Sequence, residues 1–432
     1  MAVVRQIFYL AIGYLVLMGP LIKASPIKRS SPVLPSPFIL NFPVGAKGPK
    51  APVVFPLSNG FPNIANGTTA FQDLTVQAHG SVSNAPPPPS LEPDDLLSLK
   101  VIQIQELFEV YFFTQLLLNI TNGVSGFEFS DHKLKRDIIR KLTVVQGQEQ
   151  WHALNAGGVL EHFNVPQIQP CVFKTPVTNF AGAIELAANF TAVVLGTVQD
   201  VMVRLGQNGD SAVIRGVASV VGQEGEQQGF YRTLINDLVP SESPFLTQST
   251  REFAYSALQQ NFIVAGSCPN ANTIDVPIFG ALNVLTENIQ PVDQTLTFSI
   301  ESGSTAGLSL VYINQQNLPL VEPINSTGTK NGVTTFTANF PFNAKSLDGL
   351  TIAAVVNSTG PFGDANDVAG HTVFGPGLIY PGGRDDKPPR LSFQGVSDST
   401  VVGTTSGAAP LWRPTCRYAL YASVMLLLIT LM

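Results

Sequence analysis

Residues 142–156 read LTVVQGQEQWHALNA and carry a Glu-x-x-His motif in the middle of a segment with helical spacing. Glu149 and His152 are three residues apart, so on a helix their side chains lie on one face about one turn apart. A carboxylate and an imidazole placed in this way can bind one metal ion. In helical bundles that hold two metal ions, the motif occurs on two helices, and each of the other two helices supplies one glutamate.

Segments with helical spacing surround this motif. Proline, glycine and an Asn-Gly pair separate them, as expected for short connections between helices. The predicted helices are about 94–119, 133–163, 179–205 and 211–238, and a fifth, shorter helix is predicted at about 247–261. Four long helices with short connections form a bundle, so we expect a four-helix bundle over residues 94–275.

Polar side chains occur at matching heights on the other predicted helices. Glu106 and Glu109 lie among aromatic residues of the first helix, where a carboxylate is costly to bury unless it is paired or bound to a metal ion. On the fourth helix, Glu224 and Gln227 have the spacing of the motif, but a glutamine stands where the histidine would be. On the third helix, Thr191 occupies the height at which a glutamate would complete the set.

A further signal comes from six stretches, which are Phe55–Pro62, Glu106–Glu109, Gln148–Ala156, Phe163–Pro166, Gln169–Cys171 and Arg215–Gln227. In these stretches the chain resembles the fungal late sexual development proteins, a secreted family with a ferritin-like domain. More distantly, it is similar to desiccation- and stress-related proteins of the ferritin-like superfamily. The resemblance implies a four-helix bundle and a role in fruiting-body development or stress, without an established reaction.

The resemblance also implies a set of metal ligands. In this chain the set would comprise Glu109, Glu149, His152 and Glu224. The two remaining ligand positions of a two-metal site fall on Thr191 and Gln227, and a neutral amide oxygen is a poor ligand for iron-type metals. Three alternatives stay open: a polar network without metal, one bound ion of iron or manganese, or a working two-metal oxidase. Glu106 or Glu226 could replace a missing ligand.

The spacing changes from helical to alternating after about residue 275. Alternating apolar residues such as Leu296, Phe298 and Ile300 are typical of half-buried strands, and turns rich in Gly, Asn and Ser separate the runs. Residues 276–360 are therefore predicted to form a small all-β, sandwich-like module. The predicted fold class is α+β multidomain, a ferritin-like four-helix bundle followed by this module.

Two segments lack a regular apolar pattern. Residues 25–93 are rich in Pro, Gly and Ser, and four consecutive prolines at 86–89 deny the backbone hydrogen-bond donors. This composition predicts an irregular arm before the bundle. Residues 361–406 are similarly poor in apolar pattern and are predicted to form a stalk.

The composition narrows the functional classes. The chain has 432 residues, of which 44% are hydrophobic and 27 are Phe, so it can bury a sizeable core. Its charged fraction is only 12%, its net charge is −6 and its pI is about 5.4. These values and the lack of a long basic run argue against nucleic acid as a partner. Away from the termini, no run of ~18–20 apolar residues predicts a membrane span, which excludes a polytopic membrane protein.

The two ends of the chain predict its cellular location. Residues 1–24 have the short basic start, apolar run and small final residue of a secretory signal peptide. Residues 407–432 end in an apolar tail preceded by a spacer and small residues, which is the order of a glycosylphosphatidylinositol (GPI) anchor signal. We expect the anchor at Ser406. A marginal tail-anchoring helix is the alternative interpretation.

In a secreted protein, two further residue patterns predict covalent modifications. Five Asn-x-Ser/Thr triplets predict N-glycosylation, at Asn66, Asn119, Asn189, Asn325 and Asn357. Of the three cysteines, Cys416 would leave with the anchor signal. The remaining two predict one disulfide bond, Cys171–Cys268, in an oxidising compartment.

The preferred functional interpretation is a glycosylated cell-surface protein, held to the outer leaflet of the plasma membrane or transferred to cell-wall glycan. It would act in fungal sexual development or stress through binding or assembly, with a degenerate metal site and no catalytic residues. The alternative is an extracellular metal-dependent oxidase or metal-binding protein that uses the core carboxylates and histidine. A glycan-binding β module is a third, weaker alternative, because the runs show no aromatic platform.

Overall fold

The computed structural model describes residues 53–235, 239–302 and 304–381. Within these residues the chain is a mixed helix and sheet protein, as the predicted α+β class requires. The predicted signal peptide, the anchor residue Ser406 and the C-terminal tail lie outside the described residues. So do residues 25–52 of the predicted arm and residues 382–406 of the predicted stalk.

The four long helices predicted from spacing are confirmed, and local signals explain their ends. Helix α2 has Pro93 in its first turn and ends at Gly123, which adopts the left-handed conformation that glycine tolerates. Helix α3 begins where the Asp131 carboxylate accepts two backbone N–H groups. The helices are α1 (Thr69–Ala78), α2 (Pro93–Asn122), α3 (His132–His162), α4 (Phe180–Asn208), α5 (Ser211–Leu234), α6 (Arg251–Asn261), α7 (Phe342–Lys345) and α8 (Ala365–His371).

Helices α2 to α5 form a bundle-like helical region. Helix α2 packs against α3 and α4, and α4 packs against α5. Aromatic rings fill the centre: the Phe112 and Phe190 ring centroids are 5.1 Å apart, and Phe113 stacks on Tyr231 at 5.8 Å. Such pairs add stability beyond the apolar area that they bury.

Helix α4 is long and apolar enough to cross a membrane by composition alone. However, 83% of its most apolar window is buried inside the fold. This burial is what a central helix of a packed core requires, because an all-round apolar helix must be covered on every side.

The described part of the predicted arm is irregular on either side of one helix, α1, which the prediction missed. Phe61 is completely buried in the helical core. Helix α1 packs against α3, where Leu74 and Ala78 form a small apolar cluster with Trp151. The Gln77 amide donates to the Thr143 carbonyl at 2.9 Å and thereby fixes α1 on α3. This segment is a part of the helical region.

Eight strands form two antiparallel sheets of four strands each within the described residues. The first sheet has the order β1-β2-β6-β5 and the second the order β4-β3-β7-β8. The strands are β1 (Leu282–Val284), β2 (Gln294–Ile300), β3 (Ser309–Asn314), β4 (Leu320–Glu322), β5 (Asn325–Lys330), β6 (Val333–Phe340), β7 (Thr351–Val356) and β8 (Thr372–Ile379).

Burial patterns show that the sheets and helices lie in three layers. Strand β6 alternates between exposed and buried residues, because only one face of its sheet is covered. Strands β3 and β7 are buried at every position. One face of their sheet packs on the first sheet, through residues such as Tyr312, and the other packs on α4 and α6, through residues such as Val311.

The helical region and the β module are therefore not independent. Ala192 and Val193 of α4 share one hydrophobic cluster with residues of β3 and β7. Polar contacts support the junction, since the Thr247 hydroxyl donates to the Leu350 carbonyl at 2.6 Å. The predicted boundary at residue 275 separates sequence patterns but does not separate two cores.

The predicted stalk is wrong in its described part. Residues 365–371 form α8, and residues 372–379 form β8, which pairs with β7. The β module thus extends to Ile379, which is completely buried.

The predicted disulfide bond is confirmed. Cys171 and Cys268 are joined, which links the α3–α4 connection to the chain after α6. The closed loop spans 97 residues in sequence, and closing such a loop restricts the unfolded chain by a few kcal/mol in the chain-entropy model.

The five glycosylation triplets divide by burial. Asn66, Asn325 and Asn357 are exposed. Asn119 and Asn189 are only 2% and 7% exposed, which leaves no room for a glycan at either position of this fold. The prediction for these two residues is therefore corrected. The Asn119 side chain instead accepts a hydrogen bond from Gln115.

Gly196 provides a test of the junction between the layers. A Cβ atom at this position of α4 would lie 2.3 Å from the Thr247 carbonyl oxygen and 2.8 Å from the Ser249 nitrogen. We expect Gly196→Ala to lower the free energy of unfolding by about 1–3 kcal/mol or more, because backbone atoms would have to move. Urea unfolding followed by circular dichroism measures the change.

Gly206→Ala is the matched control on the same helix. Its nearest neighbour would be the Ile214 Cδ1 atom at 4.0 Å, which is ordinary contact. Alanine should stabilise the helix there by about 0.5–1 kcal/mol. Equal effects of the two substitutions would contradict the packing described.

Candidate metal centre

Three helices of the bundle-like region bring four metal-binding side chains to one point. Glu106 comes from α2, Glu149 and His152 come from α3, and Glu224 comes from α5. One ligand atom from each lies within 4.8 Å of every other. Metal–ligand bonds of about 2.0–2.2 Å keep two ligand atoms within about 4.4 Å of each other, so small side-chain shifts would let one ion contact all four. We call these residues the carboxylate cluster.

The imidazole of His152 lies among the carboxylates. Its Nδ1 atom is 2.9 Å from the Glu149 Oε2, 3.3 Å from a Glu224 oxygen and 3.4 Å from a Glu106 oxygen. A single N–H can donate one good hydrogen bond, and the shortest distance assigns it to Glu149. The carboxylates of Glu106 and Glu224 therefore lie near this nitrogen without receiving its hydrogen bond.

Glu149 is held from its other side by a short polar chain. The Gln227 amide nitrogen donates to the Glu149 Oε1 at 2.6 Å. The Tyr231 hydroxyl in turn donates to the Gln227 amide oxygen at 2.8 Å. Together these bonds fix the orientation of Gln227, so that it presents a donor to the carboxylate.

Several oxygens near the cluster lack a hydrogen-bond partner among the described residues. They are one oxygen of Glu106, both of Glu224 and both of Glu109. A buried acceptor without a partner is costly, and a buried carboxylate without one is more so. Protons or a cation must therefore compensate this charge. The nitrogen and oxygen donors fit iron or manganese.

The structure brings together a set of side chains that differs from the predicted ligand set at one position. It brings Glu149, His152 and Glu224 together as expected, but the fourth member is Glu106 and not Glu109. Glu109 is 1% exposed and lies close enough to interact electrostatically with the cluster. Glu109 thus lies outside the compact group, and its role as a metal ligand stays a prediction.

The other sequence candidates lie apart from the compact group. Glu226 is exposed on α5 and cannot replace a missing ligand. Thr191 is completely buried on α4, and its hydroxyl has no partner among the described residues. Gln227 contributes through its hydrogen bond to Glu149, a role that the spacing of α5 alone does not reveal.

Burial and mutual repulsion shift the acid–base equilibria of the cluster. Burial raises the pKa of Glu106 to about 7 against the opposing effect of His152. Burial and the charge of Glu149 raise the pKa of Glu224 to about 8, and burial raises that of Glu109 well above its ordinary value. Burial alone would lower the pKa of His152, but Glu106 and Glu149 raise it well above its ordinary value. A metal ion would have to displace these protons.

The core on the Glu109 side of the cluster is apolar. A cavity of about 40 Å³ borders Glu109 and is lined by Phe108, Phe190, Leu258 and other apolar residues of α4 and α6. His152 has the most exposed side chain of the cluster, at 15%. A carboxylate in this environment loses its hydration, which is the largest cause of the raised pKa values of Glu106, Glu109 and Glu224.

A scan against protein-family models finds no match to this sequence, and a search of curated proteins finds no significant similarity. The resemblance to the fungal late sexual development proteins therefore stays a prediction.

The raised pKa values predict how stability depends on pH. Protonated Glu106 and Glu224 are favoured in the folded state, so their contribution to stability is present below about pH 4.5 and is lost as the pH rises through about 7 and 8. The raised pKa of His152 acts in the same direction. We expect the free energy of unfolding of the metal-free protein to fall by more than about 1.4 kcal/mol between pH 5 and 8.5, which is the equivalent of one pKa unit.

Urea unfolding with chelator present, repeated across this pH range, measures how steeply the free energy of unfolding falls with pH. Glu224→Gln cannot titrate and should flatten this dependence. A slope that is the same in Glu224→Gln and in the unmodified protein would contradict the assignment.

Proposed function

We propose that this protein binds one transition-metal ion, iron or manganese, at Glu106, Glu149, His152 and Glu224. The observation that carries the proposal is the convergence of three buried carboxylates on one imidazole. Their unpaired oxygens support it, because a divalent cation would compensate charge that the described residues leave uncompensated.

One ion fits better than two. In a two-metal site the third and fourth helices would each add a ligand, but Thr191 and Gln227 stand at those positions. The amide of Gln227 is already used, since it donates to Glu149 and accepts from Tyr231. We therefore propose metal binding without two-metal oxidase activity.

The bundle-like arrangement of α2 to α5 supports a ferritin-like domain, which the resemblance implies. The ends of the sequence support secretion and a GPI anchor, and the Cys171–Cys268 bond is the kind that persists outside the cytosol. We propose that the protein acts at the fungal cell surface in sexual development or the stress response, with its metal as a bound component of the fold.

The metal content of the purified protein tests the proposal. After expression with iron and manganese supplied, we expect close to one ion per chain by mass spectrometry, in keeping with the single cluster found among the described residues. His152→Ala should lower the affinity at least about tenfold, because even the loss of an outer hydrogen-bond partner of a metal ligand costs 10- to 100-fold.

His162→Ala is the matched control, since His162 lies at the exposed end of the same helix. It should retain the metal. Metal-free protein that remains folded would overturn the proposal and would leave a purely polar network in the core.

Substitutions of Glu106 and Glu109 on α2 distinguish the carboxylate cluster from the ligand set predicted by sequence. Glu106→Gln should reduce metal content strongly, whereas Glu109→Gln should reduce it less, because only Glu106 belongs to the compact group. Both side chains are buried and the substitutions are nearly isosteric, so the pair is matched for stability. The reverse order of effects would restore Glu109 as the ligand.

The proposed GPI anchor at the cell surface has a separate test. An epitope-tagged chain at the cell surface should be released by a phospholipase that cleaves phosphatidylinositol, because only the lipid would hold it. Replacing Ser406 with a bulky residue should block anchoring. Surface protein that resists the enzyme but is extracted by detergent would favour a tail-anchoring helix.

A further inference from the structure

A second group of acidic side chains lies at the start of α2, about three turns before Glu106 of the carboxylate cluster. Asp95 is in the first turn of α2 and is completely buried. Neither of its carboxylate oxygens has a hydrogen-bond partner of normal geometry among the described residues. The side chains of Asp210 and Asn208, at the turn between α4 and α5, lie next to this carboxylate.

Asp210 is fixed in this position by the backbone. Its Oδ2 atom accepts the N–H of Glu92 at 2.7 Å, so it caps the beginning of α2 and not its own helix α5. The bond holds the Asp210 carboxylate beside that of Asp95. Two carboxylates are thus brought together by the fold, and the Asn208 side-chain amide lies beside Asp95, whose pKa its N–H group lowers.

The nearby arginines do not neutralise Asp95. Arg251 binds the Asp94 carboxylate at 2.5 Å and the Ser98 hydroxyl at 2.9 Å. Arg204 binds Asp200 at 2.9 Å and contacts other acidic groups at 3.4–3.6 Å. Both guanidinium groups are therefore occupied by other acceptors, and no ion pair to Asp95 occurs among the described residues.

From this arrangement we propose a second cation site, at which Asp95, Asp210 and Asn208 bind a calcium ion. Both carboxylates supply oxygens, which suit a hard cation, and Asn208 supplies a third when its amide turns about the Cβ–Cγ bond. Calcium accepts the irregular geometry that a helix start and a turn provide. Asn208 is exposed and Asp210 is half-buried, so water can complete the coordination from the solvent side.

The ionisation of the site agrees with this assignment. Burial, followed by the neighbouring Asp210, raises the pKa of Asp95 to about 6. Below that pH, a proton shared between the two carboxylates compensates the charge. At neutral pH the proton is lost, and a cation takes over the same role. The site would join the start of α2 to the α4–α5 turn in a calcium-dependent way.

Calorimetric titration of the chelator-treated secreted protein with calcium chloride at pH 7.5 tests the site. We expect a dissociation constant on the order of 10⁻⁴ M, as in other extracellular calcium modules. Asp95→Asn and Asp210→Asn should each weaken binding at least tenfold. Asp73→Asn, which alters an exposed carboxylate on α1, should leave it unchanged.

A second measurement covers the case in which the variants do not fold. Calcium should raise the melting temperature of the unmodified protein at pH 7.5 but not at pH 5, where Asp95 is protonated. No calcium binding at millimolar concentration, or binding that survives both substitutions, would overturn the proposal. A melting temperature that rises only with acid would identify a proton-sharing pair in place of a cation site.

Discussion

The contact between His152 and three buried glutamates is the interaction around which the helical region is arranged. Burying several carboxylates in an apolar core is unfavourable unless each finds a proton, a donor or a cation. The helices that carry them must therefore keep a fixed height relative to each other. Gln227 and Tyr231 support this arrangement, because they hold Glu149 from the side opposite the histidine. Core packing and polar contacts thus specify the same alignment of α2, α3 and α5.

The sheets add a second constraint on the same helices. Strands β3 and β7 are buried on both faces, so their sheet has to be covered by the other sheet and by α4 and α6 together. Helix α4 meets the sheet through one face and the bundle-like region through another, which explains why it is apolar nearly all round. Its sequence resembles a membrane span for this reason.

Much of this fold could be predicted from sequence, and the missed elements share a physical cause. The long helices carry their own signals, such as Pro93 and Gly123 at the ends of α2. Helix α1 depends instead on a small apolar contact with Trp151, which no local sequence pattern predicts. Strand β8 contains Gly375 and Pro376, which disfavour a strand, and it is tolerated because it lies at the edge of its sheet.

The candidate site, like the fold, was predictable from sequence only in part. Glu149 and His152 follow from their spacing, and Glu224 follows from the equivalent spacing on α5. The choice between Glu106 and Glu109 does not follow from spacing, because both lie on one face of α2. It depends on the height at which α2 packs against α3, which only the tertiary structure determines.

The Cys171–Cys268 bond encloses α4, α5 and α6 in one covalent loop. A protease that cuts the connection between α4 and α5 would therefore produce two fragments that remain one molecule. Glu224 would stay tethered to the part of the chain that carries Glu106 and His152. A nicked copy would thus keep its three contributing helices together, and cleavage alone would not separate them.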